Sequence, residues 1–270
     1  MPELPEVFTI TQNLKEILPK AKLLQAEIFE EYRSIPKISA FEELYNQEVS
    51  EVSRISKYIL IKFEMKTLVV HLGMTGRIRY SKTPELFRWD KIRFKFEKNS
   101  EVFYLNFTDT RKFGKVKIVE KVNLNSGIEP FDLTSEKIQT LTQKIKKKNT
   151  EIKNILLDQT VISGLGNIYS NDTLFISKIN PLTKGKDLSN SEIEKIIFAS
   201  NKALSEGIEK KGSSMKDKMY TDIFGNYGEY QDNFKIYERK NCLECQTPII
   251  KIHIKGRSSF YCPNCQPVKL

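Results

Sequence analysis

Cys242-Leu243-Glu244-Cys245 and Cys262-Pro263-Asn264-Cys265 lie sixteen residues apart near the end of the chain, and their four cysteines are the only ones in it. Two Cys-x-x-Cys turns can supply four thiolates for tetrahedral coordination of zinc, and such closed four-sulfur sites are structural. Two disulfides or four unrelated buried thiols are alternatives, but neither requires the repeated spacing. The pattern therefore predicts one structural Zn²⁺ ion bound by Cys242, Cys245, Cys262 and Cys265.

The segment between the two cysteine pairs alternates apolar and polar residues from Ile250 to Lys255 and then reaches Gly256. Alternation that ends at a glycine is typical of a β-hairpin. We expect the tip of this hairpin to carry Lys255, Arg257, Ser258 and Ser259. Cations and hydroxyls grouped in this way suit phosphate groups.

The charge balance also favours an anionic partner. The 270 residues include 44 Lys and Arg against 34 Asp and Glu, which gives a formal net charge of +10 and a pI of about 9.2. This excess favours a polyanion, although a lysine-rich proteome would raise the pI of unrelated proteins as well. No apolar run approaches the length of a membrane span, and the N-terminus lacks a signal-peptide pattern. We expect no membrane partner and a cytoplasmic location, where a reducing compartment suits metal-bound cysteines.

The pattern of apolar residues changes once along the chain. Runs of β-type residues dominate up to residue 120, at 58–63, 68–72, 91–96, 102–107 and 116–119, and the turn-prone residues between them favour a β-sandwich or barrel. Helical periodicity dominates from Thr134, and Ser191-Glu192-Ile193-Glu194 has the pattern of a capping box that begins a long helix. The predicted domains are a β-sandwich at 1–120, a linker at 121–133, a helical domain at 134–230 and a zinc finger at 231–270.

The opening residues, Met1-Pro2-Glu3-Leu4-Pro5-Glu6, allow two interpretations. Pro5 and the apolar residues after it describe an amphipathic helix with glutamates at its positive end. If Met1 is removed, however, Pro2 becomes a free secondary amine that can attack a sugar carbon. Glu3 is then a neighbouring carboxylate that can act as acid or base. A free α-amine titrates at about pH 8, so a useful fraction is unprotonated at neutral pH.

Further motifs follow in order along the whole chain. They are His71-Leu-Gly-Met-Thr-Gly-Arg77, Asp109-Thr-Arg-Lys-Phe-Gly114, Leu156-Leu-Asp-Gln159 with Gly164-Leu-Gly-Asn-Ile-Tyr169, and Gly256-Arg-Ser-Ser-Phe-Tyr-Cys-Pro-Asn-Cys265. Together with the opening residues they resemble the bacterial formamidopyrimidine-DNA glycosylase family. The resemblance implies an α+β fold: an N-terminal β-sandwich domain with a flanking helix, then a helical domain with a helix-two-turn-helix element and a β-hairpin zinc finger.

The resemblance also implies an activity and its catalytic residues. Oxidised purines, 8-oxoguanine and formamidopyrimidines, would be removed from double-stranded DNA, and the abasic site would be cleaved by β,δ-elimination. Pro2 would attack C1′ of the nucleotide and form a Schiff base, Glu3 would donate a proton to the opening sugar, and Glu6 would support Glu3. Lys57, matched to a strand lysine of the family, would hold the phosphate beside the lesion, and Arg257 completes the catalytic set.

Further residues would contact DNA. The resemblance implies that Asn167 and Arg257 bind phosphates of the DNA backbone. An extruded base leaves a gap in the duplex, and Met74, Arg111 and Phe113 would fill it. Met74 would occupy the vacancy, Arg111 would contact the orphaned cytosine, and Phe113 would wedge into the stack.

Several positions depart from the family pattern. Trp89-Asp90-Lys91 stands where His-Asp-His is usual, and Thr110, Lys112 and Asp172 replace a proline, an arginine and a glutamate. Residues 212–217 resemble the start of the loop that covers the lesion, but the loop then diverges. An endonuclease VIII-type glycosylase for oxidised pyrimidines and a non-catalytic zinc-ribbon DNA-binding protein therefore stay as alternatives. We expect the protein to act as a monomer.

Overall fold

The computed structural model describes residues 2–215 and 219–268, which form two compact units. The first comprises Met1–Leu124 with Lys210–Glu229, and the second comprises Asn125–Glu209 with Tyr230–Leu270. This division differs from the predicted boundaries, because the predicted helical domain at 134–230 included the segment 210–229. That segment belongs to the first unit because Tyr220 and Ile223 are buried in its core. The Ile223 carbonyl also accepts a hydrogen bond from the Tyr80 N–H at 2.9 Å.

Eight strands of the first unit form two antiparallel four-stranded sheets. In chain order the strands are β1 (Lys22–Ile28), β2 (Glu51–Ile55), β3 (Tyr58–Lys62), β4 (Thr67–His71), β5 (Arg77–Ser81), β6 (Asp90–Lys98), β7 (Glu101–Thr108) and β8 (Lys115–Val119). One sheet has the order β1-β6-β7-β5 and the other β2-β3-β4-β8. Ile61 and Val70 of one sheet and Phe94, Leu105 and Phe107 of the other enclose one apolar core. The predicted β-sandwich is confirmed.

Helix α1 (Leu4–Ile17) packs into the same core, and the short α2 (Ser39–Glu42) follows β1. Leu4, Val7, Ile10 and Leu14 recur at helical spacing and are each no more than 1 % exposed. Pro5 lies in the first turn, where its missing N–H breaks no hydrogen bond of the helix. The amphipathic opening helix was therefore predicted correctly.

Three strands went unnamed in the sequence analysis: β1, β2 and β5. Each is an edge strand of its sheet. Edge strands commonly carry charged residues, which break the apolar run that identifies a buried strand. The β5 sequence Arg77-Ile-Arg-Tyr-Ser81 shows this, since only Ile78 is both apolar and buried.

The described residues of the second unit form four helices and a hairpin. These are α3 (Ser135–Lys146), α4 (Ile152–Leu157), α5 (Asn167–Ile176), α6 (Asn190–Glu209), β9 (Ile250–Ile254) and β10 (Arg257–Tyr261), with 3₁₀ turns at Gly185–Asp187 and Tyr230–Asn233. The capping box of α6 is Ser189 with Glu192, two residues before the predicted Ser191. No helix within 2–215 or 219–268 is long and apolar enough to cross a membrane.

Candidate active site and zinc site

The first turn of α1 positions the N-terminal residues. Glu3 precedes the helix and forms a reciprocal capping box with Glu6, whose Oε2 accepts a hydrogen bond from the Glu3 N–H at 2.7 Å. Pro2 is buried, and Glu3 and Glu6 are each 1 % exposed. A buried carboxylate directly after Pro2 is suited to acid–base chemistry there. Met1, whose removal would free the Pro2 amine, lies outside the described residues.

The second oxygen of Glu6 ties a distant part of the chain to this helix. Glu6 Oε1 accepts hydrogen bonds from the Ser213 N–H at 2.7 Å and from Ser213 Oγ at 3.2 Å. Gly212 has a φ of 83°, and a Cβ there would lie 2.7 Å from Glu6 Cγ. Glu6 therefore holds the start of the predicted lesion-covering loop against α1. Of that loop, residues 216 and 217 lie outside the described residues.

Lys57 lies in the turn between β2 and β3, so its predicted position on a strand was wrong by one residue. Its neighbour Ser56 has a φ of 54°, and Lys57 is only 6 % exposed. Lysine side chains are rarely buried in this way, because an ordinary strand lysine is solvated. The charge of Lys57 acts on His71, whose pKa is lowered to about 4 by burial, with smaller effects from Lys57 and Lys115. His71 is therefore neutral at pH 7, and its Nδ1 accepts a hydrogen bond from the Gly73 N–H at 3.1 Å.

Asp109 joins the two loops that carry the predicted gap-filling residues. It is fully buried, and its Oδ1 accepts hydrogen bonds from Thr75 Oγ1 at 2.5 Å and the Arg111 N–H at 3.1 Å. Its Oδ2 accepts one from the Gly114 N–H at 2.7 Å. Gly73 is required at this contact, since a Cβ there would lie 2.5 Å from the Phe113 carbonyl. The loops 73–76 and 109–114 therefore form one rigid structure.

The side chains on this structure face outward. Arg111 and Phe113 are exposed, Phe113 to 50 %, and the Arg111 guanidinium lies 5.0 Å from the Phe113 ring centroid. Met74 is partly buried in the neighbouring turn rather than in the core. An exposed apolar ring with a stacked guanidinium is suited to contact with nucleobases.

Two departures from the family pattern, Lys91 and Lys112, share one partner near this loop. Lys112 and Lys91 both form ion pairs with Glu30, and these pairings hold the pKa of Glu30 at about 2. Lys91 is almost fully buried, so its charge needs this partner. Tyr32, close to Glu30 in sequence, donates a hydrogen bond to the Gly114 carbonyl at 3.0 Å. Residues 30–32 therefore contact the loop at both Lys112 and Gly114.

In the second unit, Asn167 is the first residue of α5. Its carbonyl accepts hydrogen bonds from Lys153 Nζ at 3.1 Å and Asn171 Nδ2 at 2.7 Å. Its side-chain Oδ1 is buried and has no hydrogen-bond partner within the described residues. Lys153 is fully buried and also donates to Ser170 Oγ at 2.6 Å. The positive end of α5, with Asn167 on it, is suited to an anionic ligand.

The hairpin differs in detail from its prediction. Lys255 and Gly256 form the turn, both with positive φ as a type I′ hairpin turn requires, and Arg257 is the first residue of β10. Ser258 and Ser259 do not lie at the tip, because they pair with His253 and Ile252 inside the ladder. Lys255 and Arg257 are exposed there as expected.

Asn171 docks the hairpin onto α5. It is fully buried, and its Oδ1 accepts a hydrogen bond from the Phe260 N–H at 2.8 Å. Asp172, the next residue, accepts hydrogen bonds from Tyr230 Oη at 2.9 Å and the Ile236 N–H at 3.0 Å. Neither residue was given a role from the sequence, and the same is true of Asp109 and Lys153. In the sequence, Asp109 begins one of the quoted motifs, and the other three are polar residues in stretches that also hold apolar ones.

The four cysteines converge as predicted. Their sulfurs all lie within 4.8 Å of one another, with Cys242 to Cys265 at 3.8 Å, Cys245 to Cys262 at 3.5 Å and Cys245 to Cys265 at 3.6 Å. A tetrahedron with Zn–S bonds of about 2.3 Å has sulfur–sulfur edges of about 3.8 Å. The four sulfurs therefore fit one zinc ion and leave no position for a fifth ligand. The site is structural.

Comparisons with known proteins cover the chain almost from end to end. The domain described as "Formamidopyrimidine-DNA glycosylase N-terminal domain" matches residues 1–116, the "Formamidopyrimidine-DNA glycosylase H2TH domain" matches 127–219, and the "Zinc finger found in FPG and IleRS" matches 240–268. A formamidopyrimidine-DNA glycosylase of Pelotomaculum thermopropionicum is 36 % identical over 284 residues, which cover 100 % of both chains. The chain belongs to the formamidopyrimidine-DNA glycosylase family.

Solved structures of formamidopyrimidine-DNA glycosylases have the same fold. A complex of the Lactococcus lactis Fpg with DNA containing an abasic site has a TM-score of 0.89 and 28 % identity, and the match covers 99 % of this chain and 100 % of that one. A complex of MutM with DNA containing carbocyclic 8-oxo-G has a TM-score of 0.88 and 27 % identity, with the same coverage. These matches confirm the predicted α+β fold with its helix-two-turn-helix domain and zinc finger.

Proposed function

We propose that this chain is a bifunctional base-excision repair enzyme. It removes oxidised purines, 8-oxoguanine and formamidopyrimidines, from duplex DNA and cleaves the resulting abasic site by β,δ-elimination. The observation that carries the proposal is the arrangement at the start of α1. Buried Pro2 is followed there by buried Glu3, which is the N-cap of the helix and forms a capping box with Glu6. The end-to-end relation to formamidopyrimidine-DNA glycosylases supports the substrate class.

The chemistry begins at the Pro2 nitrogen, which is a free amine once Met1 is removed. Its lone pair forms a bond to C1′, and the bond between C1′ and the damaged base breaks with its electron pair on the base. The departing base takes up the proton that the Pro2 nitrogen loses. Glu3 donates a proton to the ring oxygen as the sugar opens, which leaves an iminium between Pro2 and C1′. Loss of a C2′ proton then expels the 3′ phosphate, and a second elimination expels the 5′ phosphate. Water releases Pro2, and a one-nucleotide gap remains.

Other residues hold the DNA for this chemistry. Lys57 and Arg257 bind phosphates next to the lesion, and Asn167 adds a phosphate contact at the N-terminus of α5. Met74, Arg111 and Phe113 fill the gap left by the extruded base. The zinc ion takes no part in the reaction, but it fixes the hairpin that carries Arg257. We place the enzyme in the bacterial cytoplasm as a monomer.

Borohydride trapping tests the mechanism. Reduction of the iminium joins the enzyme covalently to an abasic-site duplex, so wild type is expected to give a trapped complex. Pro2→Gly keeps an amine but changes its geometry, and we expect trapping and excision to fall severely. Pro5→Ala is the matched control, because it removes a proline from the same turn without touching the amine.

Three outcomes separate the possible functions. Full activity of enzyme that retains Met1, checked by mass spectrometry, would contradict an amine nucleophile at Pro2. Faster excision from a thymine glycol duplex than from an 8-oxoguanine duplex would instead indicate the pyrimidine specificity of an endonuclease VIII-type enzyme. Duplex binding without any trapped complex would indicate a non-catalytic DNA-binding protein.

A further inference from the structure

Residues 29–34 form a strap that crosses from one sheet of the first unit to the other. The Phe29 N–H donates a hydrogen bond to the Lys91 carbonyl of β6 at 2.9 Å, and the Ser34 carbonyl accepts one from the Val116 N–H of β8 at 2.9 Å. The strands β6 and β8 belong to different sheets. The strap therefore links the two sheets through its own backbone.

The strap also contacts the loop 109–114, which joins β7 to β8 and makes the same crossing. Tyr32 Oη donates a hydrogen bond to the Gly114 carbonyl at 3.0 Å, where the loop meets β8. The Glu30 carboxylate forms an ion pair with Lys112 in the middle of the loop. Two side chains of the strap thus contact the loop at two points.

A buried lysine fixes the Glu30 carboxylate in this position. Lys91 is 1 % exposed, and its ammonium group pairs with the same carboxylate. A buried ammonium group is costly without a counter-charge, so this pair favours one position of the carboxylate. Glu30 is therefore a fixed anion beside Lys112, whereas an ordinary surface glutamate turns freely.

Lys112 lies between Arg111 and Phe113, the two residues that the proposed function places in the duplex. Its backbone φ is 56°, a left-handed conformation that is uncommon for residues other than glycine. Asp109 holds the loop through N–H groups on either side of this residue. Glu30 pairs with Lys112 itself, at the point where the chain turns between the two side chains.

We propose that Glu30 and Tyr32 are positioning residues for Arg111 and Phe113, and that they set the preference for the base opposite the lesion. They hold the loop so that the Arg111 guanidinium meets the orphaned base in one orientation. Recognition by such a group depends on its precise placement. This inference rests on the proposed function, which places Arg111 against the orphaned cytosine.

Three substrates test the inference with the full-length enzyme: 8-oxoguanine opposite cytosine, 8-oxoguanine opposite adenine, and a preformed abasic site. Glu30→Gln keeps the size of the side chain but removes the charge that pairs with Lys112. We expect the preference for cytosine over adenine to fall about threefold to tenfold, the coupling usual for residues in contact. Cleavage of the abasic site should fall less than excision, because no base has to be extruded there.

Glu31→Gln is the matched control. Glu31 is exposed in the same strap, and its replacement makes the same change in net charge. Loss of an acidic group raises the general attraction to DNA, so weaker electrostatic binding cannot explain a lower preference in either variant. We expect Glu31→Gln to keep the wild-type preference. Tyr32→Phe removes only the hydroxyl and should lower the preference in the same direction as Glu30→Gln.

Lys112→Gln breaks the pairing from the side of the loop. It leaves Lys91 with its partner Glu30, so it tests the inference even where Glu30→Gln fails to fold. The two changes remove the same ion pair, and the double variant should therefore lose no more preference than either single variant. Thermal unfolding midpoints of all variants separate loss of preference from loss of fold.

Several outcomes would overturn the inference and leave the proposed function standing. Unchanged preference in both Glu30→Gln and Lys112→Gln is one, and wild-type enzyme with equal excision opposite cytosine and adenine is another. A log–log salt dependence of binding flattened by about one unit in Lys112→Gln, without coupling to Glu30→Gln, would make that lysine a phosphate contact instead. Equal losses on all three substrates would show that the strap serves only folding. Absence of excision by the wild-type enzyme would overturn both the inference and the proposed function.

Discussion

Glu6 is expected to support the proposed active site without entering the reaction. Both its oxygens accept hydrogen bonds, one from the Glu3 N–H and the other from Ser213, and a glutamine would place an amide NH₂ against one of these donors. We expect Glu6→Gln to lower the free energy of unfolding by about 1–3 kcal/mol, the usual cost of an unsatisfied buried group. Urea denaturation measures this change, and excision should slow because the loop start at Gly212 loses its anchor.

Glu16→Gln is the matched control for this change. Glu16 lies in the last turns of the same helix and is exposed, so its replacement should alter neither stability nor excision by a comparable amount. Equal effects of the two substitutions would show that Glu6 contributes only through its charge.

His71 gives a prediction about pH. Its pKa is lowered from 6.5 to about 4, mainly by burial, so between these values the native state binds fewer protons than the unfolded chain. The stability contributed by neutral His71 is therefore complete above about pH 6.5 and is lost as the pH falls through 4. NMR titration of the ring protons can follow it, with exposed His253 as the second histidine signal. Protonation of His71 close to pH 6.5 would contradict the burial argument.

At the scale of elements, zinc is expected to hold the hairpin of β9 and β10. Cys242 and Cys262 are fully buried and pack with Phe175, Ile236 and Phe260. Cys242→Ser should lose the zinc, measured as metal content, and reduce duplex binding with it. The β-sandwich should keep its fold, which the thermal unfolding of Trp89 emission reports.

Leu243→Ala tests whether the effect is specific to the metal. Leu243 lies between two ligands but is 50 % exposed, so its loss should leave zinc and DNA binding unchanged. Tight DNA binding by zinc-free Cys242→Ser would contradict the role assigned to the metal.

At the scale of the whole molecule, the net charge of +10 predicts that DNA binding weakens as salt rises. Arg257→Ala should weaken binding to duplexes of any sequence and flatten the log–log salt dependence by about one unit, because one phosphate contact is lost. Affinity measured at several salt concentrations gives the slope. Lys202→Ala removes an equal charge from the exposed face of α6 and should leave the slope unchanged. An unchanged slope for Arg257→Ala would place that side chain away from the phosphates.

Local patterns in the sequence were enough to predict the zinc site and much of the fold. The Cys-x-x-Cys pairs, the opening helix and the buried strands of the sandwich each have a signal that lies within a few residues. The spacing of thiolates reflects the geometry of zinc, and the periodicity of apolar residues reflects which face of an element is buried. The family resemblance rested on the same short motifs.

Only the tertiary structure decided which distant groups meet. The segment 210–229 joins the first unit because Tyr220 and Ile223 enter its core and Ser213 binds Glu6, more than 200 residues away. Asp109 and Asn171 likewise act through partners that are remote in sequence or that depend on how loops fold back. A buried carboxylate or amide forms hydrogen bonds with whichever donors the fold brings to it. These donors cannot be predicted from residue spacing along the chain.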